Sequence, residues 1–190
     1  MSASSDSQYL LDPRGYRQPP ALTLAPRPEL RALAAGRVLF YDNTKMDVGH
    51  FGALFTQIKQ GMQARGSSRY WLSELALVLI AAANHDQWSD ADIAALAARF
   101  SSMDIAAAVI GLADMGVCPA MVALTIAMER AGIPTVCLTA GPGSALAVAH
   151  AHYRAGRLCL LPFDIYQGSP LATVTALADD CVDTIMAMLT

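Results

Sequence analysis

Hydrophobic residues occur along this chain in two kinds of run: short continuous runs and longer runs with helical spacing. Short continuous runs predict strands, because strands covered on both faces of a sheet are apolar at nearly every position. Such strands are predicted at residues 37–42, 105–112, 135–139 and 158–161. Apolar positions that recur every three or four residues predict helices at residues 50–64, 89–100, 119–131, 144–155 and 171–189. The run at residues 75–83 fits either type, since its length favours a strand and its alanines favour a helix.

The alternation of strands and helices predicts one α/β domain over residues 37–190, built on a doubly wound, Rossmann-like parallel sheet. Residues 1–36 are predicted to form a proline-rich N-terminal arm, with a short helical turn within residues 28–36. Proline excludes a long helix or a central strand from most of this arm. Apolar side chains are predicted to hold the arm against the domain, and they are Tyr9, Leu10, Leu11, Leu22 and Leu24.

The composition narrows the possible classes of function. Hydrophobic residues make up 54% of the 190 residues and charged residues only 15%, which is typical of a folded chain rather than a disordered one. The net charge of −3 leaves no basic excess to neutralise phosphates, so nucleic-acid binding is not expected. So few charges also predict that an apolar face meets another subunit, in a homo-oligomer or in a hetero-oligomer with a related chain.

The sequence gives no sign of a membrane span or of a secretory signal. Its longest apolar run, residues 75–83, is far shorter than the roughly 20 residues that cross a bilayer. The first residues lack the basic and apolar parts of a secretory signal. The four cysteines are far apart and have no zinc-ligand spacing. We therefore expect a cytoplasmic protein with free thiols and no bound metal.

Polar side chains that suit ligand binding follow the first predicted strand. Asp42, Asn43 and Lys45 offer a carboxylate, an amide and an ammonium group. In open parallel α/β sheets, ligands bind beyond the carboxyl ends of the strands, so these three residues are candidates for substrate binding. The alternative is an Asx turn whose polar groups are merely solvated.

The loop after the strand at residues 105–112 contains the main candidate for catalysis. Cys118 stands at or just before the N-cap of the following helix, where free backbone N–H groups and the helix dipole stabilise a thiolate. Asp114 is its candidate acid or base, an orienting group for a substrate, or only a cap of the turn. Gly116 is a candidate substrate-binding residue. An inert, buried thiol is the alternative for Cys118, because cysteine is often buried.

A third loop follows the strand at residues 135–139. Thr139 is a candidate substrate-binding residue, and the glycines after it would let the backbone approach an anionic ligand. The loop lacks the phosphate-binding patterns of nucleotide sites, so no nucleotide and no other cofactor is expected. The remaining cysteines are predicted to lie in the core, and they are Cys137, Cys159 and Cys181.

Four short motifs occur in an order typical of a known family. They are Leu10 to Gly15, Asp42 to Lys45, Gly111 to Cys118, and Met128 to Thr135. With these motifs, over most of its length, the chain resembles the UGSC-motif family, which is named for a selenocysteine-Gly-Ser-Cys or Cys-Gly-Ser-Cys loop. It is more distantly similar to the selenocysteine-bearing B-type subunits of glycine, betaine and proline reductases. The resemblance implies the fold more firmly than it implies a substrate.

Two residues depart from the family's loop, and one of them changes the expected chemistry. Met115 stands in the position of the first redox residue, and Val117 stands in the position of the serine. Because Met115 cannot close a disulfide with Cys118 and pass on two electrons, the reductase chemistry is not expected to carry over whole. Cys118 alone can attack carbon, form a mixed disulfide with an outside thiol, or move a proton.

These observations predict a cysteine-dependent enzyme that cleaves or rearranges a carbon–heteroatom bond in a small polar metabolite, as in specialised metabolite biosynthesis. Cys118 would be the nucleophile and Asp114 its partner, while Asn43 and Lys45 would hold a carboxylate of the substrate. Two alternatives stay open. One is a degenerate, non-catalytic subunit that supports an active paralogue with the intact loop. The other is a cofactor-free racemase or decarboxylase whose thiol moves a proton.

Overall fold

A computed structural model describes residues 22–42, 51–67, 70–71, 88–112, 119–140, 158–163 and 168–190. These residues form one sheet of five parallel strands in the order β2-β1-β3-β4-β5. The strands are β1 (Arg37–Asp42), β2 (Tyr70–Trp71), β3 (Ile105–Leu112), β4 (Thr135–Ala140) and β5 (Leu160–Phe163). The helices of the described residues are α1 (Leu30–Ala35), α2 (Phe51–Ala64), α3 (Asp90–Ser101), α4 (Pro119–Arg130) and α5 (Leu171–Leu189).

The predicted α/β class and its parallel sheet are confirmed. The bounds of β1, β3 and α5 agree with the predicted ones, and the helical turn expected within residues 28–36 is α1. The predicted segments at residues 75–83 and 144–155 lie outside the described residues. No helix that the structure describes has the length and the apolar character needed to cross a membrane.

Three strands differ from the prediction. β4 ends at Ala140 instead of residue 139. β5 begins at Leu160 instead of residue 158 and includes Pro162. A proline fits there because β5 pairs with β4 at the end of the strand order, where a missing N–H costs no central ladder bond. β2 was not predicted, since the two residues of this strand are too few to form a hydrophobic pattern.

Apolar clusters cover both faces of the sheet, because successive side chains of a strand point to opposite faces. In β1, Val38 and Phe40 belong to the cluster that α2 and α5 cover. Leu39 and Tyr41 belong to the cluster that α3 and α4 cover. All four side chains are almost completely buried. A strand covered on both faces must be apolar throughout, which explains the continuous apolar runs in the sequence.

Helices α2 and α5 approach each other closely at Gly61. A Cβ atom at this position would lie 2.6 Å from Cγ2 of Val182, so only glycine permits the observed spacing. Polar pairs border the contact: Gln57 donates to Asp179 at 2.7 Å, and Arg65 forms an ion pair with Asp183. The hydrogen bonds from Arg65 lower the pKa of the Asp183 carboxyl group.

Gly61→Ala should therefore destabilise the protein, by about 1–3 kcal/mol, because the added methyl group overpacks the contact with Val182. In an open helix the same change stabilises by about 1 kcal/mol, so the sign of the effect tests the packing. Urea unfolding measures it. In a Val182→Ala background the cost should shrink or reverse, and a stabilising effect of Gly61→Ala alone would contradict the close approach.

Candidate functional site

The order of strands reverses between β1 and β3. From β1 the chain continues to β2 at one end of the sheet, whereas from β3 it continues through β4 to β5 at the other end. The helix after β1, α2, packs on one face, and the helix after β3, α4, packs on the opposite face. Adjacent parallel strands whose helices leave to opposite faces have an open crevice beyond their carboxyl ends, and ligands of open α/β sheets bind there.

The carboxyl ends of the three central strands lie at nearly the same level. Asp42, the last residue of β1, pairs with Gly111 of β3. Leu112, the last residue of β3, pairs with Thr139, which is one residue before the end of β4. The chain therefore leaves β1, β3 and β4 at neighbouring points along one edge, which we call the carboxyl edge.

The sequence-predicted site residues follow these strand ends. Asn43 and Lys45 come directly after β1, and Asp114, Gly116 and Cys118 come between β3 and α4. These five residues and the side chain of Asp42 lie outside the described part of the structure, so their roles stay predictions.

Two described features border that predicted site. Thr139 is completely buried near the end of β4. The helix α4 begins at Pro119, so Cys118 is the residue directly before the first helical residue in the sequence.

The other three cysteines differ in their surroundings. Cys137 is completely buried in β4, and Cys181 is buried in α5, as predicted. Burial raises the pKa of the Cys181 thiol to about 12. The predicted core position holds only in part for Cys159, which packs against the cluster that α2 and α5 cover but is half-buried and lies just before β5. Its Sγ accepts a hydrogen bond of 3.3 Å from Nη2 of Arg27.

Glu129, near the end of α4, is a buried charge that the sequence prediction did not single out. Its side chain is fully buried, and each carboxylate oxygen accepts two hydrogen bonds. Oε2 accepts from the backbone N–H of Ala25 at 2.7 Å and from Nη1 of Arg27 at 2.8 Å. Oε1 accepts from Nη2 of Arg27 at 2.9 Å and from the backbone N–H of Thr135 at 2.7 Å. Four donors use the full capacity of the carboxylate.

Arg27 is equally well matched, because each of its five N–H groups has an acceptor. Besides the two bonds to Glu129 and the one to Cys159, Nη1 donates to the carbonyl of Ala25 at 3.0 Å and Nε donates to the carbonyl of Met188 at 2.9 Å. Burial opposes the positive charge, but the hydrogen bond and the charge of Glu129 outweigh it and raise the pKa of Arg27 above its ordinary value. We call this pair and its partners the Arg27–Glu129 clamp.

The clamp lies at the opposite end of the sheet from the carboxyl edge. Thr135 is the first residue of β4, and Cys159 comes directly before β5. The clamp therefore joins the amino ends of strands, at the edge of the sheet that we call the amino edge. Its groups are fully paired with one another, so it holds the fold together and leaves no polar group for a substrate. One signal in the sequence pointed to it: Glu129 is the first charged residue in the apolar run that begins at Pro119.

The described residues contain no group of three or more His, Cys, Asp or Glu side chains that could hold a metal ion.

These observations describe an α/β protein with a reversal of strand order between β1 and β3 and a buried ion pair at the amino ends of its strands. The profile of the UGSC family matches residues 9–190, and the chain therefore belongs to the UGSC family. No curated protein and no solved structure matches the chain significantly.

Glu129→Gln should lower the free energy of unfolding by about 3–5 kcal/mol, because the amide leaves the charge of Arg27 buried without its counter-charge. The amide also replaces the two acceptor positions of one oxygen with N–H donors, which then face donors of Arg27 and of either Ala25 or Thr135. The matched control is Asp183→Asn, the same chemical change in the exposed pair with Arg65, which should have a far smaller effect. Urea unfolding of both variants measures the two changes in the free energy of unfolding. Equal losses of stability in the two variants would contradict the conclusion that the Arg27–Glu129 pair holds the fold together.

Proposed function

We propose that this chain is a cysteine-dependent enzyme that cleaves or rearranges a carbon–heteroatom bond in a small polar metabolite that bears a carboxylate. Cys118 is the nucleophile and Asp114 its acid and base. Asn43 and Lys45, with Asp42, Gly116 and Thr139 beside them, hold the substrate. The proposal concerns residues 42–45, 114–118 and 139 at the carboxyl edge.

The reversal of strand order between β1 and β3 carries this proposal. We take the sheet to be doubly wound, which is supported by the strand order and by the apolar clusters on both faces. In such sheets the ligand binds beside the strands on either side of the reversal. The chain segments after β1 and β3 are the ones that contain Asn43, Lys45, Asp114 and Cys118, so the chemistry-bearing residues coincide with the expected crevice.

The start of α4 supports the role of Cys118. A thiol directly before a helix is close to the free N–H groups and the positive end of the helix dipole, which favour the thiolate over the thiol. Helix α4 is twelve residues long and is buried along most of its length. Low-dielectric surroundings strengthen the effect of the helix dipole on a nearby charge. The same position would suit an inert thiol poorly, because a strand-to-helix loop at the carboxyl edge is where α/β proteins bind ligands.

The reaction balances with two groups of the chain and water. The Cys118 thiolate forms a bond to an electrophilic carbon of the substrate, the bond from that carbon to its heteroatom breaks, and the electron pair leaves with the heteroatom. Asp114 donates a proton to the leaving group. Water then attacks the same carbon, Asp114 takes up its proton, and the thiolate of Cys118 is restored. The cycle consumes one water molecule and needs no reductant.

Met115 separates this proposal from the chemistry of the distant reductase subunits. A disulfide between the first and last residues of the family's loop would require a thiol or selenol where this chain has Met115. A single thiol is left in the loop, which suits attack on carbon better than the transfer of two electrons. The same replacement favours one other candidate, a non-catalytic subunit that supports a paralogue with the intact loop.

Cys118 should be alkylated fastest of the four thiols near neutral pH, because the start of α4 stabilises its thiolate. Cys181 should react among the slowest, since a pKa of about 12 keeps almost all of it protonated, and Cys137 is buried. Peptide mass spectrometry after brief treatment with iodoacetamide gives the order. Faster labelling of half-buried Cys159 than of Cys118 would sink the nucleophile assignment.

Cys118→Ser should abolish turnover of the substrate while the fold is kept, because a hydroxyl group is a far weaker nucleophile than a thiolate. The matched control is Cys159→Ser, the same change at the amino edge, which should leave the kcat unchanged. Lys45→Ala should chiefly raise the KM, since it removes a cation that holds the substrate carboxylate in the ground state and the transition state alike. Activity that survives in Cys118→Ser contradicts the proposal. If both Cys118→Ser and Lys45→Ala leave the activity of a complex with a paralogue intact, the supporting-subunit alternative replaces it.

A further inference from the structure

The backbone groups of β5 point in directions that its pairing with β4 determines. In a parallel pair, alternate residues of a strand bond the neighbouring strand. The N–H of Cys137 donates to the carbonyl of Cys159 at 2.9 Å, and Cys137 is paired with Leu160. The backbone groups of Cys159 and Leu161 therefore face β4. Those of Leu160 and Pro162 face the outer edge of β5, where no other strand of the described residues is paired.

Neither of the two residues at this outer edge offers an N–H group. Pro162 has none, because its nitrogen is part of the ring. The N–H of Leu160 donates to the carbonyl of Leu158 at 3.1 Å, which is the bond of a γ-turn. Within β5, the outer edge therefore presents the carbonyls of Leu160 and Pro162 as acceptors and has no donor to match them.

The same edge is apolar enough to attract another strand. Leu158, Leu160 and Leu161 are half-buried, and Pro162 is exposed. Residues 158–163 contain no charged side chain. An uncharged apolar segment of about six residues at a sheet edge is typical of strands that pair with other chains, unless a proline or a charge interrupts it. Pro162 is the interruption within these residues.

We propose that Pro162 closes the outer edge of β5 to strand addition, so that neither a second copy of this chain nor another extended chain lengthens the sheet there. An added strand needs donors and acceptors along the edge that it joins. At β5 it would meet acceptors only, and its own carbonyls would be buried without a donor. The half-buried leucines favour contact with another chain, but the missing N–H groups make pairing with it unfavourable.

This closure limits how subunits of the protein can associate. The composition predicts that an apolar face meets another subunit. A sheet that continues from one subunit into the next through β5 is excluded by the proposal. Contacts between subunits would then be made by side chains, not by backbone hydrogen bonds at this strand.

Pro162→Val adds an N–H at the outer edge and a side chain that favours strands. It should form a species of twice the wild-type mass at a protein concentration at least about tenfold lower than the wild type needs, because each chain gains a donor. Pro162→Ala adds the same N–H with less apolar surface and should shift association in the same direction. Leu161→Val is the matched control, since the N–H of Leu161 faces β4, and it should associate like the wild type. Sedimentation velocity over a dilution series gives the masses.

Hydrogen–deuterium exchange locates the contact, because the N–H of residue 162 should exchange slowly in the larger species and fast on dilution. Association of the proline variants without this protection would overturn the proposal. So would wild-type behaviour of both proline variants, or equal association of Leu161→Val.

A photo-crosslinking amino acid at position 160 gives a further readout that does not depend on how the proline variants fold. In the otherwise wild-type chain it should form no crosslink between the β5 strands of two copies, whereas in Pro162→Val it should form one. A crosslink between β5 strands with Pro162 in place would show that the edge is open and would overturn the proposal.

Discussion

The buried carboxylate of Glu129 is the constraint on which the rest of this structure depends. A charge with no exposure to water is tolerated only when it is fully paired, and Glu129 receives four hydrogen bonds from Ala25, Arg27 and Thr135. These partners come from residues 25–27, which precede α1, and from the first residue of β4. Arg27 also bonds the carbonyl of Met188 in α5, a helix on the opposite face of the sheet. One ion pair therefore connects residues 25–27 with β4, with α4 on one face of the sheet and with α5 on the other.

The two edges of the sheet differ in how their polar groups and chain connections are arranged. At the amino edge, the polar groups of the clamp are hydrogen-bonded within the protein: every N–H of the Arg27 side chain and every acceptor position of Glu129 has a partner. At the carboxyl edge, the strand order reverses between β1 and β3, and the helices leave to opposite faces. The clamp holds the first residue of β4, and the pairing of β4 with β3 and of β3 with β1 sets where the loops of the carboxyl edge begin. Stability at one edge thus gives loops at the other edge fixed starting points.

The hydrophobic pattern predicted most of the described fold, because a strand that is buried on both faces must be apolar at nearly every position. The apolar runs of β1 and β3 follow directly from the clusters on either side of the sheet, and α5 shows the spacing of a one-sided helix. The clamp could not be predicted in the same way, because the interruption of an apolar run by Glu129 does not identify a partner that is 102 residues away. The partial exposure of Cys159 could not be predicted for the same reason, because its half-buried thiol is in contact with Arg27, which no sequence spacing indicates.

Cys159 and the proposed nucleophile Cys118 are the same type of residue at different positions in the fold. Both are single thiols with a source of positive potential nearby, a guanidinium for Cys159 and the start of α4 for Cys118. Arg27 is paired with Glu129, with both Nη atoms bonded to that carboxylate, so the cation beside Cys159 has a carboxylate as its counter-charge. The start of α4 lies at the carboxyl edge, at the other end of this helix from Glu129. A thiolate directly before α4 would therefore meet a positive end that no carboxylate of the clamp neutralises, which is the physical basis for assigning the chemistry to Cys118.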